Sequence, residues 1–283
     1  MERREREADN GGIMNQENLE RKLSAGSPNR SGTQSLGRGI RLMRMIASKP
    51  DFGWRLSDLS AACQQDKATV HRMLTCLVQE RLVERRAHDR HYVPGPLMYE
   101  LGLAQRPRVQ FHRYADAALQ EFARQQGGIA LFLLRSGNEY VCSLRAGTLT
   151  LTGLMVHPGT RRPLFTSVGG IAILQKLPKE EARQVLLSNI AQEISFRGSG
   201  RLDALQKMRE RSDRHGFGVN LGDVVSGVHA FAVPVMDSGG QPFAALCLMG
   251  SPEQYSEEHL PHLHDQLKTL ADMLAARARA LGL

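Results

Sequence analysis

Residues 57–74 read Ser57-Asp58-Leu59-Ser60-Ala61-Ala62-Cys63-Gln64-Gln65-Asp66-Lys67-Ala68-Thr69-Val70-His71-Arg72-Met73-Leu74, two apolar periodicities divided by a polar turn. Ser57 is an N-cap residue type with an acid, Asp58, in the first turn behind it. A short helix is therefore predicted from Ser57, carrying Leu59 and Ala62 and ending near Cys63. After Gln64-Gln65, Asp66 supplies the same capping chemistry to a longer helix over Lys67–Glu80, whose inner face reads Val70, Leu74, Leu77 and Val78. Upstream, Leu36, Ile40, Met43 and Ile46 recur at helical spacing until Asp51-Phe52-Gly53 breaks the pattern. Downstream, Leu82–Arg85 and His91–Val93 read as short strands around the tip Ala87-His88-Asp89-Arg90. Three helices and a hairpin make a winged helix-turn-helix domain over residues 35–95.

The rest of the 283-residue chain divides around it. Residues 1–34, rich in Arg, Glu, Asn, Ser and Gly, lack the apolar surface to offset ordering entropy and are expected to form a disordered tail. Residues 96–126 read as a helical linker interrupted at Arg106-Pro107. Over 127–283, the runs Ile129–Leu134, Tyr140–Leu144, Phe231–Val235 and Phe243–Leu248 read as strands. Helices are expected near Ser167–Gln175, Pro178–Asn189, Arg201–His215 and Ser256–Leu281, with His157–Phe165 as a loop. Strands enclosed by helices without repeated βαβ units predict an α+β fold with a C-terminal GAF-like or profilin-like domain.

Charge follows the same division. The formal net charge is +8, and residues 36–104 hold 11 Lys/Arg against 7 Asp/Glu, while residues 107–283 are closer to balance at 19 against 16. A basic module beside a near-neutral domain is the footprint of nucleic-acid binding. No apolar run approaches the ~20 residues of a membrane span. The start shows no secretory pattern, and the four cysteines are widely separated, so a reduced, cytoplasmic protein is expected.

Several of these stretches resemble the IclR family of bacterial transcriptional regulators. The likeness is carried by Ser35-Leu36-Gly37-Arg38-Gly39-Ile40, Leu56–Ser60, Lys67–Leu74 and Tyr92-Val93-Pro94-Gly95. It continues through Gly159-Thr160-Arg161-Arg162-Pro163-Leu164, Ser167-Val168-Gly169-Gly170, Ala232–Val235 and Ala244-Ala245-Leu246. The resemblance implies an N-terminal domain on double-stranded operator DNA and a C-terminal effector-binding domain. It also implies a homodimer or homotetramer, with RNA polymerase as a further candidate partner and neither membrane nor cofactor.

A recognition helix reads base edges in the major groove. With Val70, Leu74 and Leu77 turned inward, Lys67, Thr69, His71, Arg72 and Thr75 are left on the outer side. Lys67 and Thr69 at the helix start suit phosphates, Arg72 suits guanine, and His71 a base or phosphate. Arg85, Arg86 and Arg90 make a basic wing suited to phosphate or minor-groove contact.

The resemblance places the effector lining at Leu151, Leu154, Val168, Gly169, Asn220, Ala230, Cys247 and Met249. Relatives that bind very small oxo-acids carry polar residues where this chain has Ala230, Cys247 and Met249. A larger, apolar pocket for an aromatic or other hydrophobic carboxylate is the expectation. The N–H groups of Val168-Gly169-Gly170, opening a helix, are candidates for holding the carboxylate. His157, His229 and Arg161 are candidate polar neighbours, each with a plainer structural role as the stronger alternative.

Two rival readings compete with this one. His259, His262 and His264 have the look of a metal cluster, but Pro261 interrupts them and they flank the leucine seam of the terminal helix. No metalloprotease, nucleophile-elbow, P-loop or dinucleotide pattern is present, so catalysis is not expected. The other rival is a small-molecule sensor or scaffold that does not bind DNA. It would lack a salt-steep DNA affinity.

Overall fold

A computed structural model describes residues 33–151 and 156–283. The winged helix comprises α1 (Gln34–Ala47), α2 (Leu56–Cys63), α3 (Lys67–Gln79), β1 (Val83–Arg85) and β2 (Tyr92–Pro94). Its core joins Leu42 and Ile46 of α1 to Leu59, Val70, Leu74 and Leu77, closed by Val83 and Tyr92 of the hairpin. Asp66 caps α3 as expected, its Oδ1 accepting the Thr69 N–H at 2.8 Å. Trp54 extends the hairpin by an antiparallel bridge to Tyr92.

Three apolar positions face elsewhere than their spacing predicts. Val78 is exposed, because the core is already closed by Leu74 and Leu77 one turn apart. Leu36 and Ile40 of α1 are also exposed, at 65% and 37%. The α1 residues that pack on α3 are Leu42 and Ile46, and the Leu36–Ile40 stripe is a second apolar face.

The connector is two helices, α4 (Pro96–Leu103) and α5 (Arg106–Gln126). The break falls at Ala104-Gln105 and not at Arg106-Pro107, since Pro107 lies in the first turn of α5, where its missing N–H costs nothing. The mainly apolar α4 buries none of its residues.

The second domain contains β3 (Ile129–Ser136), β4 (Glu139–Ala146), β5 (Arg161–Pro163), α6 (Val168–Leu174), α7 (Lys179–Arg197), α8 (Leu202–His215), β6 (Gly218–Leu221), β7 (His229–Met236), β8 (Pro242–Gly250) and α9 (Leu260–Ala280). The strands form one six-stranded sheet in the order β5-β4-β3-β8-β7-β6, with every paired neighbour antiparallel. Strands β5 and β6 lie at its two edges and were not predicted. Helix α7 runs eight residues past its predicted end at Asn189, because nothing breaks it before Gly198, at φ +72°.

Alternation along the strands sorts the core into two layers. Ala130, Phe132, Phe231, Val233, Leu246 and Leu248 face α5 and α9. Ile129, Leu131, Leu133, Ala230, Ala232, Ala245, Cys247 and Met249 face α6, α7 and α8. Beneath α6 the residues of β7 and the centre of β8 are small, and glycines bring the helix down onto them. A Cβ on Gly169 would stand 2.7 Å from Leu133 Cδ1 and 3.4 Å from Ala245 Cβ, and one on Gly218 of β6 would stand 2.5 Å from the Val168 carbonyl oxygen.

Candidate DNA-reading surface and effector core

On α3 the side chains of Lys67, His71, Arg72 and Thr75 are exposed, and Thr69 is half-buried. The structure brings these five predicted residues onto the outer side of one helix. Arg72 Nη2 donates to Thr69 Oγ1 at 3.3 Å, and Thr75 Oγ1 donates to the His71 carbonyl at 3.0 Å. Arg72 is thus held along the helix by a hydroxyl, through one long bond from its cationic donor to a neutral acceptor.

The wing is less uniform than its arginines suggest. Arg85 and Arg90 are exposed, Arg90 in the left-handed region at φ +58°. Arg86 is committed inward. Its guanidinium donates to the carbonyls of Asp51 at 2.7 Å and Phe52 at 2.6 Å, and to Asp89 Oδ2 at 2.7 Å. Geometry therefore gives Arg86 the task of tying the wing tip to the loop before Trp54, a correction to its expected place among phosphate contacts. Asp89 also accepts the His91 N–H at 3.0 Å and meets His91 Nδ1 at 2.6 Å. Arg55 Nε donates to His91 Nε2 at 3.1 Å, so the imidazole proton sits on Nδ1. Desolvation alone would raise the Asp89 carboxyl, but the His91 backbone and ring and the Arg86 charge hold it well below the ordinary carboxylate range.

In the second domain, register assembles the predicted effector residues. Asn220, Ala230, Met249 and Ile129 are cross-strand partners in one row over β6, β7, β8 and β3. Gly218, Ala232, Cys247 and Leu131 form the next row. Val168 and Gly169 of α6 close over them, and a Cβ on Gly169 would stand 2.6 Å from Cys247 Sγ. Leu151 packs against this cluster from its edge, and Leu154 lies outside the described residues. Asn220 is spent on backbone, donating to the Val228 carbonyl and accepting the Val224 N–H, both at 3.2 Å. Burial pushes the Cys142 thiol up to about 12 and raises that of Cys247 further.

The helix start offers fewer free donors than its sequence suggests. The Gly170 N–H is taken by Ser167 Oγ at 3.1 Å, and α6 is only seven residues long. Arg145, which the sequence reading passed over, stands in a better place. The register shift between Phe132 and Leu133 makes Ser143 an extra residue on β4, so that Cys142 pairs with Leu133 and Leu144 with Phe132. Arg145 is thereby set opposite Leu131, on the effector face, at the end of the row holding Cys247. Its Nη1 donates to the Val156 carbonyl at 3.0 Å. The other polar candidates are engaged elsewhere. Arg161 pairs with Glu139 at 2.9 Å, His229 Nδ1 meets the Tyr255 carbonyl at 2.7 Å, and His157 is exposed. In the terminal helix region, His259 Nδ1 lies 3.0 Å from Ser256 Oγ and His264 packs on Phe217. No helix among the described residues is long and apolar enough to cross a membrane.

A winged helix with an open recognition face, joined by helices to a sheet domain with an apolar interior, is the architecture of a DNA-binding transcriptional regulator. The IclR helix-turn-helix domain model matches residues 35–87, and the bacterial transcriptional regulator IclR C-terminal model matches residues 107–276. The chain belongs to the IclR family of bacterial transcriptional regulators. It is 26% identical over 239 residues to the HTH-type transcriptional regulator KipR of Bacillus subtilis, covering 83% of this chain and 92% of that protein. Its fold is similar to that of an IclR family regulator from Brucella abortus, with TM-score 0.69 and 18% identity over 89% of this chain and 96% of the other. It is also similar to an IclR homolog from Microbacterium hydrocarbonoxydans, solved in complex with 4-hydroxybenzoate, with TM-score 0.63 and 18% identity over 87% and 99% of the two chains.

Proposed function

We propose that this regulator senses an aromatic or similarly hydrophobic carboxylate in the core between α6 and the sheet. The observation that carries this reading is the row Cys247–Leu131–Arg145, an apolar floor ending in a cation. A ring over Ala230, Cys247 and Met249 gains burial, and a carboxylate directed to Arg145 gains a charge-assisted hydrogen bond. The packing around Gly169 is tight, so a ligand here acts by favouring a second arrangement through its differential affinity. The Microbacterium homolog's aromatic acid is consistent in chemistry, though at 18% identity the likeness extends to fold alone.

At the other end, Lys67, Thr69, His71, Arg72 and Thr75 of α3 meet operator DNA in the major groove, with Arg85 and Arg90 on flanking phosphates. Divisions at 34/35, 95/96 and 126/127 separate tail, DNA-binding domain, linker and effector domain. The protein works in the cytoplasm as a homodimer or homotetramer. Calorimetry with benzoate, 4-hydroxybenzoate and their uncharged amides tests the effector reading. Carboxylates should bind more tightly than amides, and Arg145→Met should weaken the carboxylates by about tenfold or more while leaving the amides unchanged. Equal binding of acid and amide, or binding of glyoxylate alone, contradicts it.

A further inference from the structure

The winged helix and the effector domain of one chain meet at a cleft that neither DNA reading nor the effector core uses. Gly159, at φ +88°, approaches the end of α1 so closely that a Cβ there would stand 3.3 Å from the Ala47 carbonyl oxygen. The Gly159 N–H donates to the Cys142 carbonyl at 2.8 Å, which fixes this loop to β4. Beside the contact lies a cavity of about 440 Å³. Its walls include Ile40 and Met43 of α1, Met98 and Leu101 of α4, and Val141 of β4. Ile40 and Leu101 are among the large apolar side chains left exposed.

The charged groups of this wall have one sign. Arg44 and Arg161 line the cavity, and no lining residue is a carboxylate. Arg161 is already paired with Glu139 at 2.9 Å. Arg44 is exposed and has no acidic partner within 4.0 Å among the described residues. Cavities at domain boundaries that are mostly apolar, with a few convergent polar groups, are where small ligands bind.

We propose that this cleft is a second ligand site, taking an amphipathic monoanion whose flexible hydrocarbon chain lies on the apolar wall and whose carboxylate meets Arg44. The chain supplies burial and the guanidinium selects an acid over an alcohol or an amine. A ligand here touches α1, whose Leu42 and Ile46 pack with Val70 and Leu74 of α3, and also touches β4 and β5 of the effector domain. It therefore fixes the angle between the two domains. The inference goes beyond the effector core reading and does not depend on it, since none of the residues assigned to the two sites is shared.

Full-length protein is titrated calorimetrically with decanoate, decanol and decyltrimethylammonium below their micellar concentrations. In parallel, a decanoate carrying a terminal diazirine is photo-crosslinked and the adducts are mapped by mass spectrometry. Decanoate is expected to bind most tightly and to label peptides covering 40–48 or 98–101. Arg44→Gln should weaken it about tenfold and leave decanol unchanged, while Arg145→Met leaves the labelling pattern intact. Labelling around Cys247 and Met249 instead, ammonium binding equal to carboxylate, or no effect of Arg44→Gln overturns the proposal. So does cross-linking that finds the cleft filled by a second copy of the chain. Failure of the effector core reading would show separately, as aromatic acids whose affinity ignores Arg145→Met.

Discussion

Gly169 and Cys247 are in contact across the helix–sheet boundary, with room for a glycine and nothing larger: a Cβ on Gly169 would meet Cys247 Sγ at 2.6 Å and Leu133 Cδ1 at 2.7 Å. Helix α6 therefore rests directly on the row through which the effector is proposed to act. Gly169→Ala should destabilise the domain by about 1–3 kcal/mol, the usual cost of overpacking. Cys247→Ala in the same chain should recover part of that loss, because the sulfur is one of the two colliding groups. Urea unfolding of the two single variants and the double variant measures the coupling. Strict additivity would mean that the two residues do not press on one another.

The arginines of the wing separate by what they touch. Arg86→Ala removes donors to the Asp51 and Phe52 carbonyls and to Asp89, so it should cost about 1–3 kcal/mol of stability. Arg85→Ala and Arg90→Ala should leave the melting temperature nearly unchanged and each lower the salt slope of DNA binding by about one. Thermal melts and salt-dependent anisotropy on the same variants distinguish the two roles. An Arg86→Ala protein with unchanged stability would return Arg86 to the phosphate contacts.

Acid should loosen the winged helix. Hydrogen bonds from Thr69 lower the Asp66 carboxyl, and those of His91, with the Arg86 charge, lower that of Asp89. Both groups are more acidic folded than unfolded. Their contribution is therefore complete above the ordinary carboxylate range and is lost as pH falls through the folded values. Trp54, the one tryptophan of the chain, is bridged to Tyr92 in this domain and reports on it by fluorescence. Asp66→Asn and Asp89→Asn should flatten the acid limb of its stability profile. An unchanged limb in both variants would place the acid sensitivity elsewhere.

The cysteines should divide by burial. Cys76 is exposed on α3, while Cys63, Cys142 and Cys247 are buried, with the Cys142 thiol pushed up to about 12 by desolvation. A maleimide at pH 7.5 should modify one thiol per folded chain and all four in denaturant. Rapid modification of Cys142 or Cys247 in the folded state would show that the effector core opens without ligand.

Local chemistry carried most of the winged helix into view from sequence. Asp66 caps α3 because a carboxylate before Lys67-Ala68-Thr69 meets the free N–H of Thr69, a contact three residues long. What escaped is set by distant partners. Arg86 looks like its neighbour Arg85 until the loop at Asp51-Phe52, 34 and 35 residues away, takes its donors. Arg145 reaches the effector face only because one extra residue in β4 reverses the alternation, a shift that no periodicity of Tyr140–Ala146 announces. Leu36 and Ile40 have the spacing of a core stripe, and only the packing of Leu42 and Ile46 shows which stripe the core uses. Asn220, Ala230, Cys247 and Met249 were placed together by family likeness, and strand register shows them as neighbours.

Base reading by Arg72 is the central claim that a single series tests most directly. Fluorescence anisotropy on the DNA upstream of the protein's own gene, against a scrambled duplex, is run from low to high salt with the native protein and Arg72→Ala. The native protein should bind both with a steep salt dependence and prefer the upstream sequence. Arg72→Ala should lose about 1–3 kcal/mol of that preference while its affinity for scrambled DNA changes little. A flat salt response, or an equal loss on both duplexes, would contradict the account.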